Sequence, residues 1–386
     1  MFRKMPVILV TLIIAVVLLD AWLPLIVKTN LYALSLTIKS FIIFILPFVI
    51  FSLLFKTAAQ LAHHATKIIL FILVTVCCSN FISTFLSHYV GVAIYHLDFT
   101  LAQPNTGNGL MPAWSVTFPK LIGNDKAMLL GLLLGIALGY IKALRSHSTR
   151  VIIILDKFVG RLLQVLTFLI PFFITGFVIK LNDDGNMKMI VQHYSLILAM
   201  IFVAQFSYIF LIYFLANQLK FKSFLNSLKN MLPAAIAGFT TMSSASAMPL
   251  TLIGTEKNVK HAVLGRATIP ATVNIHLIGD CFAIPILAFA ILKSFAIPEP
   301  LFVSYLIFSL FFVLAKFSVA AVPGGGILVM LPILENYLGF NAQMMSLITA
   351  LYILFDPIIT SANVLGNGAF AMVIDKSYGF LVRGKQ

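Results

Sequence analysis

The feature that most constrains this chain is the length of its stretches without Asp, Glu, Lys or Arg, such as Ile68 to Leu97 and Met189 to Leu219. About 20 apolar residues in a helix cross the ~30 Å hydrocarbon core of a bilayer, and apolar segments recur at about 7 to 27, 31 to 55, 67 to 97, 127 to 144, 151 to 179 and 189 to 216. Composition agrees: 61% of the 386 residues are hydrophobic and 10% charged, against about 45–50% and about 25% in soluble domains. Disorder, collagen and coiled coil are excluded. The expectation is an all-α polytopic membrane protein of about eight transmembrane helices, in which residues 1–386 form a single integral unit. The basic start, Arg3 and Lys4 before Val7 to Leu19, reads as a first spanning helix rather than a signal peptide, because no small-residue cleavage site follows.

The 26 Lys and Arg against 12 Asp and Glu, net +14, form no stripe, so a nucleic-acid partner is not expected. They cluster on alternate connections instead. Lys56, Lys67, Lys142, Arg145, Arg150, Lys220, Lys222 and Lys229 mark one side, while Lys28, the polar stretch Asp98 to Asp125 and the segment Leu181 to Lys188 lie on the other. By the positive-inside rule the basic side is cytoplasmic, which places the N-terminus there and, with an even number of remaining crossings, the C-terminus too; the expected location is a cell (inner) membrane. Cys77, Cys78 and Cys281 lie in apolar runs and support neither a disulfide framework nor a zinc site.

From Lys229 to Glu256 the uncharged run has a hydroxyl- and alanine-rich middle, Thr240 to Ser246. Two arms of about ten residues meeting at a polar tip fit it better than one crossing, since broken backbone at membrane depth must be satisfied by protein or a watery cavity. This is a re-entrant helical hairpin. A second spans Leu301 to Leu334, with SVAAVPGGG (Ser318 to Gly326) at its tip. Each precedes an apolar helix interrupted by polar residues, TVNIHLIGD (Thr272 to Asp280) and FDPIITSANVLGNG (Phe355 to Gly368). A duplicated unit of this kind, as in inverted repeats, points to the midplane binding site of a secondary transporter.

Asp356 sits in an otherwise uncharged helix, where a carboxylate must face a ligand, water or a partner. An ammonium, a metal cation or a proton fits, as does a structural pair with a lysine such as Lys316. Pro357, Gly366 and Gly368 are expected to loosen the helix and expose carbonyls, and Asn363 follows Asp356 by two turns on the same face. His276 and Asp280 are four apart, so on a helix they stack on one face and can hydrogen-bond, as a proton site or as a structural His/Asp pair. Lys316 ends an apolar arm, where a cation meets free carbonyls.

These residues carry a resemblance. From Ile43 through Val373 the chain resembles the dicarboxylate/amino acid:cation symporters, the glutamate-transporter fold, through the first tip TTMSSASAMP, the second tip AAVPGGG and the last-helix run DPIITSANVLGNG. Asp356, Thr360, Asn363, Val364 and Gly366 match the family pattern D-M-G-R-T-x-x-N-V-x-G-D in register, and Pro47 and Pro171 sit where family helices carry prolines. The resemblance implies a homotrimer working as an elevator, with a scaffold at about 1–60 and 125–182 and a transport part at about 65–97 and 189–376. It implies a substrate site of Ser243, Ser244, Val322, Pro323, Gly324, Asp356, Ile359, Thr360 and Asn363. Ion or proton coupling would fall to Asn274, His276, Asp280, Lys316, Asn363 and Asn367, of which Asn363 and Asn367 are the metal candidates.

The departures bear on specificity. Ile359 replaces the arginine that clamps an acidic side chain, and Met242 stands where some relatives carry that arginine instead. A sodium-ligating carboxylate has become Ile278 and another Asn367, while Lys316 lies where hairpin carbonyls hold a sodium in relatives. The expected function is therefore secondary active transport of a small neutral amino acid or similar zwitterion, with H+ or Na+ as coupling cation, the lost carboxylates favouring H+, and no other cofactor. An acidic amino acid/dicarboxylate:sodium symporter and a non-transporting receptor are the alternatives. A membrane hydrolase built on Ser243, Ser244 and His276 would be a different class, and an enzyme is not expected.

Overall fold

The computed structural model describes residues 5–64, 67–97, 109–119, 121–140, 145–183, 194–319 and 324–383. Thirteen α-helices and no strand occur among the described residues. Helix α1 (Met5–Leu19) leads through a 3-10 turn (Asp20–Trp22) into α2 (Leu25–His64), then α3 (Lys67–His96), α4 (Asn124–Tyr140) and α5 (Arg145–Asp183). There follow α6 (Ser195–Ala216), α7 (Phe221–Thr241), α8 (Ser244–Glu256), α9 (Ala262–Thr272), α10 (Ile278–Ser294), α11 (Phe302–Lys316), α12 (Gly325–Leu338) and α13 (Ala342–Arg383). Among the described residues four stretches, Leu25–Lys56, Leu70–His96, Ser195–Ala216 and Gln343–Tyr378, are individually long and apolar enough to cross a membrane.

The first crossing ends earlier than the apolar run suggests. Leu23 is extended (ψ 125°), as the residue before a proline prefers, so Pro24 separates α1 from α2 and the chain does not pause at Lys28. Lys28 instead reaches Asp20 at 2.9 Å and Asp183 at 3.6 Å, which brings the start of α2 and the end of α5 to one side. The stretch 109–119 joins them: Ala113 N–H donates to the Thr29 carbonyl, and Phe118 N–H to Ser40 Oγ. Lys142, Asp98 and Lys188, used above to orient the chain, lie outside the described residues.

Helices pack in two groups. α2 lies along α4 and α5, with α1 against α5, while α3 and α6 to α13 pack mainly on one another. Every residue of α10 except Lys293 is buried, so this helix, apolar all round, is the centre of the second group. α6 shows the opposite pattern. Ile197, Ile201, Gln205, Ile209 and Tyr213 form its buried stripe, and its exposed face carries Phe202, Val203, Phe210 and Leu211. A continuous apolar exterior of this kind is matched by lipid rather than water.

Both hairpins form. α7 and α8 meet at Met242, whose left-handed backbone (φ 51°) reverses the chain, and Ser243 caps α8 by accepting from Ser246 N–H at 3.3 Å. The arms are 21 and 13 residues rather than about ten each. The first is longer because the segment read as a charged connection continues the helix, with Lys222 and Lys229 on its exposed face. α11 and α12 form the second hairpin, with Gly324 in the left-handed region (φ 71°) before α12.

Between α9 and α10 the helix breaks, as expected. The second interruption does not exist: α13 runs unbroken from Ala342 to Arg383 through Pro357. Proline removes one backbone bond, which a helix held by packing tolerates. Gly366 and Gly368 do not loosen it either, for they admit close packing; a Cβ there would press on Ile278 and on Met231 with the Tyr213 hydroxyl, respectively.

Candidate functional site

Where the first hairpin tip, the α9–α10 break, the second hairpin and the middle of α13 converge, they line a small cavity. Met242 and Ser244 come from the first tip, Val273, Asn274 and Leu277 from the break, and Val319 and Gly326 from the second hairpin. Its remaining wall carries the polar side chains Asp280, Tyr352, Asp356, Thr360 and Asn363.

Asp356 is 3% exposed. One carboxylate oxygen accepts from Gly324 N–H at 2.8 Å and the other from Thr360 Oγ1 at 2.9 Å, so it ties the second hairpin to α13 while each oxygen keeps a further acceptor position. Lys316 is not its partner. Lys316 Nζ donates to Asp280 Oδ2 at 2.9 Å, with side-chain exposures of 0% and 1%. Asp280 Oδ1 accepts from the Tyr352 hydroxyl at 2.9 Å and from Asn363 Nδ2 at 3.2 Å, and the ammonium lies 4.5 Å from the centre of the Phe312 ring.

His276 and Asp280 do not pair. The i, i+4 face requires continuous helix, and α10 begins only at Ile278. His276 instead turns to α3, with Nε2 2.9 Å from Ser79 Oγ and its ring on Phe370 at 4.2 Å. The break is pinned by Asn80, whose amide donates to the Ile275 carbonyl at 2.7 Å and accepts from Leu277 N–H at 3.2 Å. Asn80 and Tyr352 were not singled out in the sequence. Asn80 is polar within an apolar run, a signal that could have marked it, whereas a tyrosine in such a run gives none.

The remaining residues divide. Asn363 Oδ1 accepts from Gly279 N–H at 2.8 Å, so its amide joins α10 to α13. Asn367 donates to the carbonyls of His276 and Asn363, and its buried Oδ1 has no hydrogen-bond partner. Ile359 is fully buried in apolar packing and does not line the cavity, although its neighbours Asp356, Thr360 and Asn363 do. Val322 and Pro323 lie outside the described residues. A serine–histidine pair does not form either, since the partner of His276 is Ser79 rather than Ser243 or Ser244.

Two helical hairpins meeting a broken helix around a buried polar cavity, in a helical bundle with an apolar exterior, define a multi-pass membrane transporter. The chain belongs to the sodium:dicarboxylate symporter family, whose pattern matches residues 5–377. That family consists of transporters rather than enzymes. Among curated proteins the chain is similar to an excitatory amino acid transporter of Onchocerca volvulus, 25% identical over 281 residues, which is 71% of this chain and 56% of that protein. It thus spans about half the length of that relative.

Proposed function

We propose that the protein carries a small neutral amino acid or similar zwitterion across a cell (inner) membrane by secondary active transport. The observation that carries this reading is the charge balance of the cavity. Asp280 is neutralised by Lys316, whereas no cation faces Asp356 among the described residues. A single uncompensated carboxylate favours one ammonium group. The substrate carboxylate would be met by the remaining N–H of Asn363 and by amides of the hairpin tips beside Ser243, Ser244 and Gly324. A second, side-chain carboxylate would be buried without a cation and is disfavoured. The family's acidic substrates are therefore the second choice.

Met242, not Ile359, is the residue at which this selectivity can be reversed, because it lines the cavity. Met242→Arg is expected to give measurable binding of aspartate or glutamate where the wild type shows little. Wild-type protein that prefers aspartate or glutamate to alanine or serine in a direct binding assay would reject the reading.

In this mechanism α1, α2, α4 and α5 form the scaffold of a trimer, and α3 with α6 to α13 moves across the membrane as one body. Both termini face the cytoplasm. The coupling ion is H+ rather than Na+: Ile278 packs over Gly366 as an apolar side chain, and Asn367 adds only a neutral oxygen, whereas hard cations need charged oxygens to offset dehydration. Reconstituted protein should concentrate a labelled neutral amino acid under an inward proton gradient without sodium. Accumulation only under a sodium gradient would overturn the coupling assignment, and counterflow without any gradient response would leave a facilitator. Neither counterflow nor accumulation would identify a receptor.

A further inference from the structure

We infer that Lys316 is a tethered cation, which occupies permanently the electrostatic role of a dissociable ion and makes substrate binding independent of sodium. The inference rests on the reading of the cavity as a substrate site. Asp280 sits in the first turn of α10 and Lys316 in the last turn of α11. An anion at a helix N-terminus and a cation at a C-terminus are each favoured by the helix dipoles. Their side chains meet at 2.9 Å, out of contact with solvent.

Asp280 belongs to the cavity wall, and its other oxygen holds Tyr352 and Asn363 of α13. The ammonium thus links the second hairpin to α10 and, through Asp280, to α13. A bound metal cation would link the same three elements, because a buried carboxylate with neutral donors around it needs a positive charge to remain ionised in the interior. A dissociable ion must bind before the wall is complete, so its concentration enters every substrate affinity. A covalently attached ammonium contributes no such dependence. The space is also committed: a Cβ at Gly326 would run into the Tyr352 hydroxyl and the Asp280 carboxylate, so the network fills its surroundings closely.

Thermal unfolding of the purified full-length protein in detergent, in sodium chloride against choline chloride at equal ionic strength, tests this without needing a substrate. Wild type should melt at the same temperature in both salts. Lys316→Gln leaves Asp280 facing neutral donors, so sodium should raise its midpoint by several degrees through ligand linkage. Lys316→Met, which keeps an apolar stem beside Phe312, provides a second variant should the first not fold. Adding Asp280→Asn to either should abolish the sodium response. Sodium stabilising the wild type, or folded Lys316 variants that ignore sodium, would overturn the inference. Failure of every neutral amino acid to bind wild type in either salt would count against the proposed function alone.

Discussion

Asp356→Asn should reduce binding of the neutral substrate by about 100-fold or more while leaving the fold intact. Among the described residues the carboxylate accepts two hydrogen bonds, from Gly324 N–H and Thr360 Oγ1, and its remaining acceptor positions suit a substrate ammonium. A charge-assisted hydrogen bond contributes roughly 1.5–3 kcal/mol, and a stranded ammonium costs more; about 1.4 kcal/mol corresponds to each tenfold in affinity. The amide variant keeps one acceptor oxygen for the hairpin or for Thr360, so unfolding is not expected. Calorimetric titration of the purified variant, with its melting midpoint as control, checks the result. A folded Asp356→Asn protein with wild-type affinity would remove Asp356 from the substrate site.

The second large effect concerns stability. Asp280→Leu alone leaves the Lys316 ammonium, now fully buried, with no counter-charge; breaking one side of a buried pair typically costs about 3–5 kcal/mol. The double variant Asp280→Asn, Lys316→Met removes both charges and retains an acceptor for the Tyr352 hydroxyl. It should be far less destabilised than the sum of Asp280→Asn and Lys316→Met taken singly, which a double-mutant cycle on thermal midpoints would show. Additive effects would mean that the two groups do not stabilise one another.

The two predictions differ in how far the residues themselves announced them. Asp356 was visible as an isolated carboxylate in an apolar helix, a position that membrane energetics makes expensive whatever the fold. The role of Asp280 was not. Its spacing from His276 pointed to a shared helix face, but the helix is absent over residues 273–277, and the two side chains diverge toward α11 and α3. Ile359 shows the same divide on a smaller scale. Its position in the last-helix motif placed it in the pocket, yet the rotation of α13 against α10 directs it into apolar packing, with its backbone carbonyl close to Gly279.

Hydrophobic run length, the basic clusters and the hydroxyl- and glycine-rich tips were sufficient to predict a helical membrane protein with two hairpins. Each depends on the cost of exposing polar backbone or charge to hydrocarbon, a cost set by local composition. The partner of Lys316, the course of α13 through Pro357 and the lining of the cavity were decided only by tertiary packing. Lys316 and Asp280 are far apart along the chain and meet because α10 and α11 bring opposite helix termini together. Pro357 remains helical because neighbouring elements hold α13 on both sides of it, including Gly324 through Asp356 and Gly279 through Asn363. Contacts between distant segments decide such outcomes, and no local spacing rule encodes which segments those will be.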